Sequence, residues 1–257
     1  MNIIACVRQT PDTETVIKIS SSAQGIETDG VKFVLGPYDE YALEAAAQIK
    51  EKSGGEVTVV TVGPDRAAET LRHCLAVGAD KAVHITDNGS TGDDALAVAT
   101  ALANQIKKMS HDLVFVSNKG TDSDRGTVGP MLAELLNLPY VGLVTEIEVE
   151  GGKATVSRDV EGGAKEKFEV TLPAVICAQK GVRGEPRYAS LPAIMKAKKK
   201  PVETVAIEAD VSGLRKVELE KLEYPPARPP GRMVSGDTAA DKAKELVRLL
   251  RQEAKVI

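Results

Sequence analysis

Residues 117–130 concentrate the residue types that bind phosphate and ribose groups. The stretch holds three glycines, several hydroxyl side chains, the basic pair Lys119 and Arg125, and the acidic pair Asp122 and Asp124. Glycines let a ligand approach the backbone, and the amides that open a following helix attract anions. The carboxylates could hold ribose hydroxyls, cap the helix or orient the basic pair. The pattern favours a nucleotide site, and a solvated loop after a strand is the alternative.

Residues 184–201 form a second distinctive stretch, which offers nothing for acid–base or nucleophilic chemistry at neutral pH. Leu191 and Pro192 are predicted to form an exposed turn that leads into a short amphipathic helix. A lysine cluster follows, comprising Lys196, Lys198, Lys199 and Lys200. An apolar side chain ringed by cations suits an acidic protein partner and a salt-sensitive encounter. We interpret this stretch as a docking device, with a solvated charged face as the alternative.

The remaining reactive residue types form no recognisable catalytic or metal-binding pattern. Three histidines are scattered along the chain, and the three cysteines include no C-x-x-C pair. A Walker A sequence is absent, as is a G-x-G-x-x-G after the first strand. We therefore expect no catalytic residue and no metal site. Cys6 is a partial exception, because its position at a strand end could bring its backbone against a nucleotide.

The amino-acid composition argues against several classes of protein. The chain has 257 residues, a formal net charge of −4, 3% aromatic residues and no tryptophan. Scarce aromatics argue against a base-stacking platform, and the net charge gives no global attraction to nucleic acid or anionic lipid. No apolar run is long enough to span a membrane, and the first residues do not resemble a signal peptide. We expect a cytoplasmic protein that is not membrane-embedded and binds no nucleic acid.

Strand and helix signals alternate in the first half of the chain. Apolar runs predict buried strands at 2–7, 56–62, 81–86, 112–117 and 174–178, and helical patterns occupy 37–52, 64–77, 93–108 and 129–137. Such alternation predicts an α/β fold with a doubly wound, mostly parallel sheet covered on both faces. Residues 16–35 are predicted to form an inserted hairpin, and residues 143–171 an antiparallel meander.

The chain changes character near residue 200. Residues 202–232 are polar and rich in proline, and residues 238–253 show the apolar spacing of an amphipathic helix. We therefore predict a nucleotide-binding α/β domain at 1–200 and a C-terminal arm at 201–257. The arm could pack on its own domain or on a partner subunit.

At these residues the chain resembles the β subunit of electron transfer flavoprotein over nearly its whole length. The matching blocks are 6–12, 36–44, 77–80, 117–130, 172–175 and 185–200, of which the most specific is Glu185-Pro186-Arg187-Tyr188-Ala189-Ser190-Leu191-Pro192. The resemblance implies an adenine nucleotide α-hydrolase-like fold and a heterodimer with an α subunit. That α subunit would carry the redox-active FAD, and the arm at 201–257 would pack on it.

The resemblance also implies a role and a second cofactor. The pair would accept electrons from acyl-CoA or related flavin dehydrogenases and pass them on, with a quinone oxidoreductase as one acceptor. This chain would be an electron carrier subunit and no catalyst by itself. The β subunit would bury AMP in ordinary carriers, or a second FAD in electron-bifurcating relatives that oxidise NADH.

Family correspondence assigns residues to both sites. The cofactor-binding positions are Cys6, Gly36, Pro37, Tyr38, Asp39, Val62, Ser117, Asn118, Lys119, Gly120, Thr121, Asp122, Ser123, Asp124, Arg125, Gly126, Thr127 and Val128. The partner-binding positions are Glu185, Pro186, Arg187, Tyr188, Leu191, Pro192, Ile194, Met195 and Lys196, with Leu191 as the residue that enters a pocket of the dehydrogenase.

Two departures from the family pattern bear on the cofactor. Gly36 stands where the family commonly has Asn, and the loop at 122–130 matches neither the carrier subtype nor the bifurcating subtype throughout. We favour AMP and keep a second FAD open. A stand-alone nucleotide-binding protein or an ATP-pyrophosphatase-like ligase is the rival class. Its usual S-G-G-x-D-S loop is absent after the first strand, where the chain reads Arg8-Gln9-Thr10-Pro11-Asp12.

Overall fold

The computed structural model describes residues 1–92, 94–207, 211–228 and 230–257. The strands are β1 (Asn2–Cys6), β2 (Gln9–Pro11), β3 (Phe33–Leu35), β4 (Glu56–Gly63), β5 (Lys81–Thr86), β6 (Leu113–Ser117), β7 (Tyr140–Glu150), β8 (Lys153–Asp159), β9 (Lys165–Thr171), β10 (Ala174–Ala178) and β11 (Glu203–Ala206). The helices are α1 (Pro37–Ser53), α2 (Ala67–Val77), α3 (Ala95–Ile106), α4 (Val128–Leu136), α5 (Leu191–Ala197) and α6 (Ala239–Leu249).

In the described part of the chain, nine strands form one sheet in the order β11-β5-β4-β1-β6-β10-β7-β8-β9. Strands from β11 to β7 pair in parallel, and β8 and β9 extend the sheet antiparallel. The chain builds outward from β1 through β4 and β5, then crosses to β6 on the other side of β1. The mostly parallel, doubly wound sheet with an antiparallel extension is thus confirmed.

Buried apolar clusters on the two faces of the sheet explain the layered arrangement. One cluster includes Leu43 of α1 and Leu71 of α2, and the other includes Leu102 of α3 and Leu132 of α4. The central strands supply side chains to both clusters in alternation, such as Ile3 to the first and Ile4 to the second. Strands buried on both faces are the reason that the parallel strands read as continuous apolar runs.

Local signals define the helix ends closely. Helix α1 has proline in its first turn, acidic residues near its start and lysines in its last turn, all of which favour a helix there. Helix α3 is capped by Asp94, whose side chain accepts hydrogen bonds from the amides of Leu96 and Ala97. Asp93, the first residue of the predicted helix 93–108, lies outside the described residues.

The inserted segment pairs differently from the predicted hairpin at 16–35. Residues 33–35 form β3 and pair antiparallel with β2, so Thr10 lies opposite Val34. Within the insertion an isolated bridge joins Ile19 and Ile26. The reason is connectivity: β2 continues from β1 and β3 leads into α1, so both strands are held by the core. The serine-rich segment between them has few apolar side chains to bury.

The contact pattern divides the chain into Met1–Lys221 and Leu222–Ile257. This division falls later than the boundary predicted at residue 200, because β11 adds to the sheet beside β5. A 3₁₀ turn at Val211–Leu214 also belongs to the first unit, with Val211 buried.

The second unit contains α6, which opens on a capping box between Thr238 and Asp241 and continues into a π-helical turn at Leu250–Ala254. Along Ala239–Leu249 no side chain is buried, and Leu246 and Val247 are exposed. Across the described residues, no helix has the length and apolar character needed to cross a membrane.

Candidate functional site

A cavity of about 440 Å³ opens at the carboxyl ends of β1, β4 and β6. Strands β1 and β6 are neighbours in the sheet, but the chain reaches β6 only after building the other side. Ligands of open parallel sheets collect at such a topological switch point. The volume falls within the range of about 300–1,000 Å³ that is typical of small-molecule sites.

Most of the predicted cofactor-binding residues line this cavity. They are Cys6, Asp39, Val62, Ser117, Asn118, Lys119, Gly120, Asp122, Ser123, Arg125, Gly126, Thr127 and Val128. The structure therefore brings together segments that are far apart in sequence, as the parallel sheet requires.

The other predicted positions lie behind or beside the lining, namely Gly36, Pro37, Tyr38, Thr121 and Asp124. Gly36 supports Asp39 from behind, since its amide donates to the Arg8 carbonyl and a β-carbon there would collide with the Asp39 carboxylate. Tyr38 lies under the Lys119 ammonium, which is 5.9 Å from the ring centre. Asp124 forms an ion pair with Lys119 at 2.5 Å.

Asp39 is a buried carboxyl in the first turn of α1, with 3% of its surface exposed. Burial raises its pKa from 3.8 to about 7, against the opposing effect of hydrogen bonds from Ser117 and from the Arg8 amide at 3.0 Å. Near neutral pH the group is therefore poised between its charged and neutral forms. The neighbouring Cys6 thiol stays protonated, because burial raises its pKa to about 12.

Ion pairs give the loop between β6 and α4 its shape. The Arg8 guanidinium binds the Asp122 carboxylate at 2.7 Å and the Ser123 hydroxyl at 3.2 Å. Gly126 has a φ of 63°, a conformation that glycine adopts without strain. A β-carbon on Gly129 would lie 2.8 Å from Val116, so glycine allows α4 to pack closely on β6.

The start of α4 faces the cavity. Thr127 precedes this helix and lines the cavity, and its side chain makes no capping hydrogen bond. Helix N-terminal amides and the positive end of the helix dipole favour a negatively charged group. Basic side chains of Arg8, Arg66, Lys119 and Arg125 line the same cavity. The arrangement can hold an anionic ligand of nucleotide size.

One wall of the cavity escaped the prediction. It consists of the loop after β5, including Asp87, Thr91 and Asp94. The Asp87 carboxylate accepts hydrogen bonds from the amides of Gly89 and Ser90, at 3.0 and 2.6 Å. The position of this loop in the sequence could have predicted its role, because it also follows the carboxyl end of a parallel strand.

A second cavity, of about 740 Å³, adjoins the first. The two share Asn118, Lys119, Arg125 and Gly126, and the second extends over the start of β7 to Leu143 and Phe168. The far side carries Arg158, whose guanidinium stacks on Phe168 with 5.2 Å to the ring centre.

Residues 185–197, here called the exposed segment, form a separate surface. Tyr188 is 99% exposed, Leu191 78% and Met195 56%, and Ile194 is also exposed. The side chains of Lys196, Lys198 and Lys199 lie around them in solvent. Large apolar side chains grouped in solvent are typical of an interaction site.

Some of the predicted partner-binding and basic residues also have partners within the fold. The Glu185 carboxylate accepts a hydrogen bond from the Tyr41 hydroxyl at 2.9 Å. Arg187 binds the carboxylates of Glu44 and Glu51 on α1. The Lys200 ammonium donates to the Ala79 carbonyl at 2.8 Å. The sequence shows the charge of such residues but not which group each of them binds.

Over the ranges that the structure describes, histidine, cysteine and acidic side chains form no cluster suited to a metal ion.

Comparisons with known proteins agree with this picture. A family model described as the electron transfer flavoprotein domain matches residues 25–210. The chain is 43% identical over 264 aligned residues to the electron transfer flavoprotein subunit beta of Bacillus subtilis (strain 168), and the match covers all of both chains. It is 36% identical over 256 residues to the subunit beta of Mus musculus, covering 97% of this chain and 99% of the relative.

A relative with a different name matches equally far along the chain. The caffeyl-CoA reductase-Etf complex subunit CarD of Acetobacterium woodii is 37% identical over 262 residues, covering 98% of this chain and 99% of the relative.

Proposed function

The chain belongs to the electron transfer flavoprotein family as a β subunit, and from this we propose that it forms the non-catalytic half of a two-subunit electron carrier. Its α subunit holds the redox-active FAD. The heterodimer accepts electrons from an acyl-CoA dehydrogenase or a related flavin dehydrogenase and passes them on, with a quinone oxidoreductase as one acceptor.

The observation that carries this proposal is the exposed segment. Leu191 and Met195 lie in solvent beside a cluster of cations, although the core of the same unit is well packed. A small apolar anchor with a charged rim suits a partner that must bind specifically and leave quickly. We propose that this segment docks the dehydrogenase while electrons pass to the FAD of the α subunit.

We assign the cavity to AMP, with a structural role. The N-terminal amides of α4, Thr127 and the basic side chains would hold the phosphate, and Asp39, which also lines the cavity, would meet a polar group of the base or ribose. Bound AMP would stabilise the folded chain, because it binds that state alone.

An unpaired buried atom supports the fit of a polar ligand. The Gln9 carboxamide nitrogen donates to the Arg66 carbonyl and the Thr70 hydroxyl, which fixes the orientation of the amide. Its oxygen is buried and has no hydrogen-bond partner among the described residues. Buried acceptors are nearly always paired, so a donor from a bound ligand or subunit would complete this group.

A second FAD in place of AMP is the second candidate, within an electron-bifurcating complex that oxidises NADH. FAD contains AMP as one half, so the same cavity would hold that half. The adjoining cavity supports this candidate, because it offers space beyond Lys119 and Arg125.

Cofactor content distinguishes the two candidates. The heterodimer is purified with its α subunit and denatured, and the released FAD and AMP are counted per dimer. We expect one FAD and one AMP. Two FAD and no AMP per dimer would favour the bifurcating candidate. One FAD and no AMP per dimer would contradict the assignment of the cavity to a nucleotide.

Substitution of Leu191 tests the docking role. Leu191→Ala should raise the KM for the heterodimer, as substrate of an acyl-CoA dehydrogenase, by roughly 10- to 100-fold, since burying a leucine contributes about 1.5–3 kcal/mol. FAD and AMP content should not change. Leu214→Ala, which shortens another exposed leucine, is the matched control. A wild-type KM in Leu191→Ala would contradict the proposal.

Two further features complete the proposal. The apolar residues Leu246 and Val247 of α6 are exposed on this chain, and we propose that the C-terminal unit packs on the α subunit.

Cys6, Cys74 and Cys177 are buried and free, as suits a reducing compartment, and we propose a cytoplasmic location.

A further inference from the structure

We propose that Tyr41, Glu44 and Arg187 are positioning residues that hold the exposed segment in its docking conformation before a partner arrives. The inference rests on the proposed docking role of that segment. It assigns to one face of α1 the task of presenting Leu191.

Side chains along α1 tie down the start of the exposed segment. The Tyr41 hydroxyl donates to Glu185, and the Glu44 carboxylate receives Nε and Nη2 of Arg187 at 2.8 and 2.9 Å. The backbone amide of Arg187 also donates to Glu44, at 3.2 Å. Arg187 also binds Glu51, which lies two helical turns beyond Glu44. These positions on α1 share one face, because residues three, four and seven apart align along a helix.

The burial of Glu44 strengthens the attachment of Arg187 to α1. Glu44 is buried, and burial alone opposes its ionisation, but its hydrogen bonds with Arg187 and Gln48 hold its pKa below the usual range. A buried carboxylate paired in this way resists separation from Arg187, since it would lose the ion pair and the three hydrogen bonds that Arg187 donates. The guanidinium is therefore held in place, although 34% of the Arg187 side chain remains exposed.

The other end of the segment is fixed separately. Ala197 is buried in the core cluster below α1 and α2, and the carbonyl of Lys198 accepts a hydrogen bond from Arg72 of α2 at 3.1 Å. Lys200 binds the Ala79 carbonyl after the end of α2. The segment is thus tied to α1 at its start and to α2 at its end, and Tyr188, Leu191 and Met195 project between the ties.

Fixing both ends has a consequence for docking. A loop that is already ordered loses less conformational entropy when a partner binds, so pre-organisation increases affinity without adding contacts. Loosening the α1 attachment should therefore weaken the encounter. It should leave the electron-transfer step within the formed complex unchanged.

Tyr41→Phe and Arg187→Lys test this inference in the heterodimer. Tyr41 is buried and cannot contact a partner directly, and its substitution removes one hydroxyl only. Arg187→Lys keeps the charge but loses the planar fork that binds Glu44 through two nitrogens. Lys153→Arg is the matched control, because Lys153 pairs with Glu169 on the antiparallel extension and lines neither cavity.

The readouts are the KM and kcat for reduction by an acyl-CoA dehydrogenase, together with hydrogen exchange of the amides at 185–192. For both variants we expect the KM and the exchange rates to rise roughly tenfold, as the loss of one stabilising hydrogen bond implies. The kcat and cofactor content should match the wild type, and the urea midpoint should fall by no more than the loss of one hydrogen bond requires. Lys153→Arg should match the wild type in every readout.

Several outcomes would overturn the inference. Wild-type exchange and KM in both variants would do so, as would a raised KM with unchanged exchange in Arg187→Lys alone, which would make Arg187 a direct contact. A rise in exchange that extends over the buried strands and is not confined to residues 185–192 would also overturn it. Leu191→Ala separates the two proposals. A wild-type KM in Leu191→Ala would reject docking by the exposed segment. A raised KM in Leu191→Ala, with unchanged exchange in Tyr41→Phe and Arg187→Lys, would reject the positioning role alone.

Discussion

Asp39 illustrates how neighbours decide the charge of a single residue. The position is fixed by α1, which begins at Pro37, and the carboxyl is enclosed by β1 and β6. Burial raises its pKa, hydrogen bonds from Ser117 and Arg8 lower it, and the charge of Asp122 raises it again. Burial is the largest effect, so the folded chain keeps the proton to a higher pH than the unfolded chain does.

Stability should therefore depend on pH through Asp39. Between pH about 4 and about 7 the folded state binds a proton that the unfolded state has released, so the free energy of unfolding falls as the pH rises, by up to about 1.4 kcal/mol per pH unit. In Asp39→Asn this contribution is absent. Urea unfolding of the full chain should show the variant gaining stability relative to wild type across that range.

Asp65→Asn provides the control, because Asp65 is exposed. Its difference from wild type should not follow this trend. A difference between Asp39→Asn and wild type that stays constant from pH 4 to pH 8 would show that the carboxyl is ionised throughout.

At the scale of elements, α3 connects the cavity wall to a segment near the end of the first unit. One oxygen of Asp94 caps α3 through the amides of Leu96 and Ala97, and the other accepts from Lys216 and Val217 at 2.6 and 2.8 Å. Burial alone would raise the pKa of Asp94, but these four donors together hold it below its usual value. One carboxylate thus performs two structural tasks.

Two substitutions at Asp94 separate these tasks. Asparagine retains one acceptor and is a good N-cap, so Asp94→Asn should free Lys216 and Val217 while α3 stays capped. Asp94→Ala should lose both, and should be less stable than Asp94→Asn by about 1 kcal/mol. Urea unfolding measures the difference, and hydrogen exchange at the Lys216 and Val217 amides should accelerate in both variants. Protected amides in Asp94→Asn would contradict the tethering role.

At the scale of the whole molecule, the sheet organises both surfaces. The switch point between β1 and β6 creates the cavity, and α1 runs from that cavity, where it carries Asp39, to the exposed segment, where it holds Arg187. Net charge is negative overall, yet Lys196, Lys198 and Lys199 form a local basic surface beside Leu191. This separation suits the proposed function, in which the docking surface stays free while the ligand stays enclosed.

The sequence by itself determined the elements and the landmarks. Continuous apolar runs identified β5 and β10 at their observed bounds, and the glycine- and hydroxyl-rich loop at 117–130 lines the cavity. These features depend on neighbours in the chain: backbone preferences, helix ends and apolar spacing act over a few residues. The exposed Leu191 was equally visible, because proline and flanking lysines keep a leucine at the surface.

Only the tertiary structure decided which groups meet. It paired β3 with β2, joined β11 to the sheet, brought the loop after β5 into the cavity wall, and gave the charges of Glu185, Arg187 and Lys200 to partners within the fold. Each pairing joins residues from distant parts of the chain, whose proximity depends on how the layers pack. Residue type reveals what a side chain can bind, whereas the fold decides what lies within its reach.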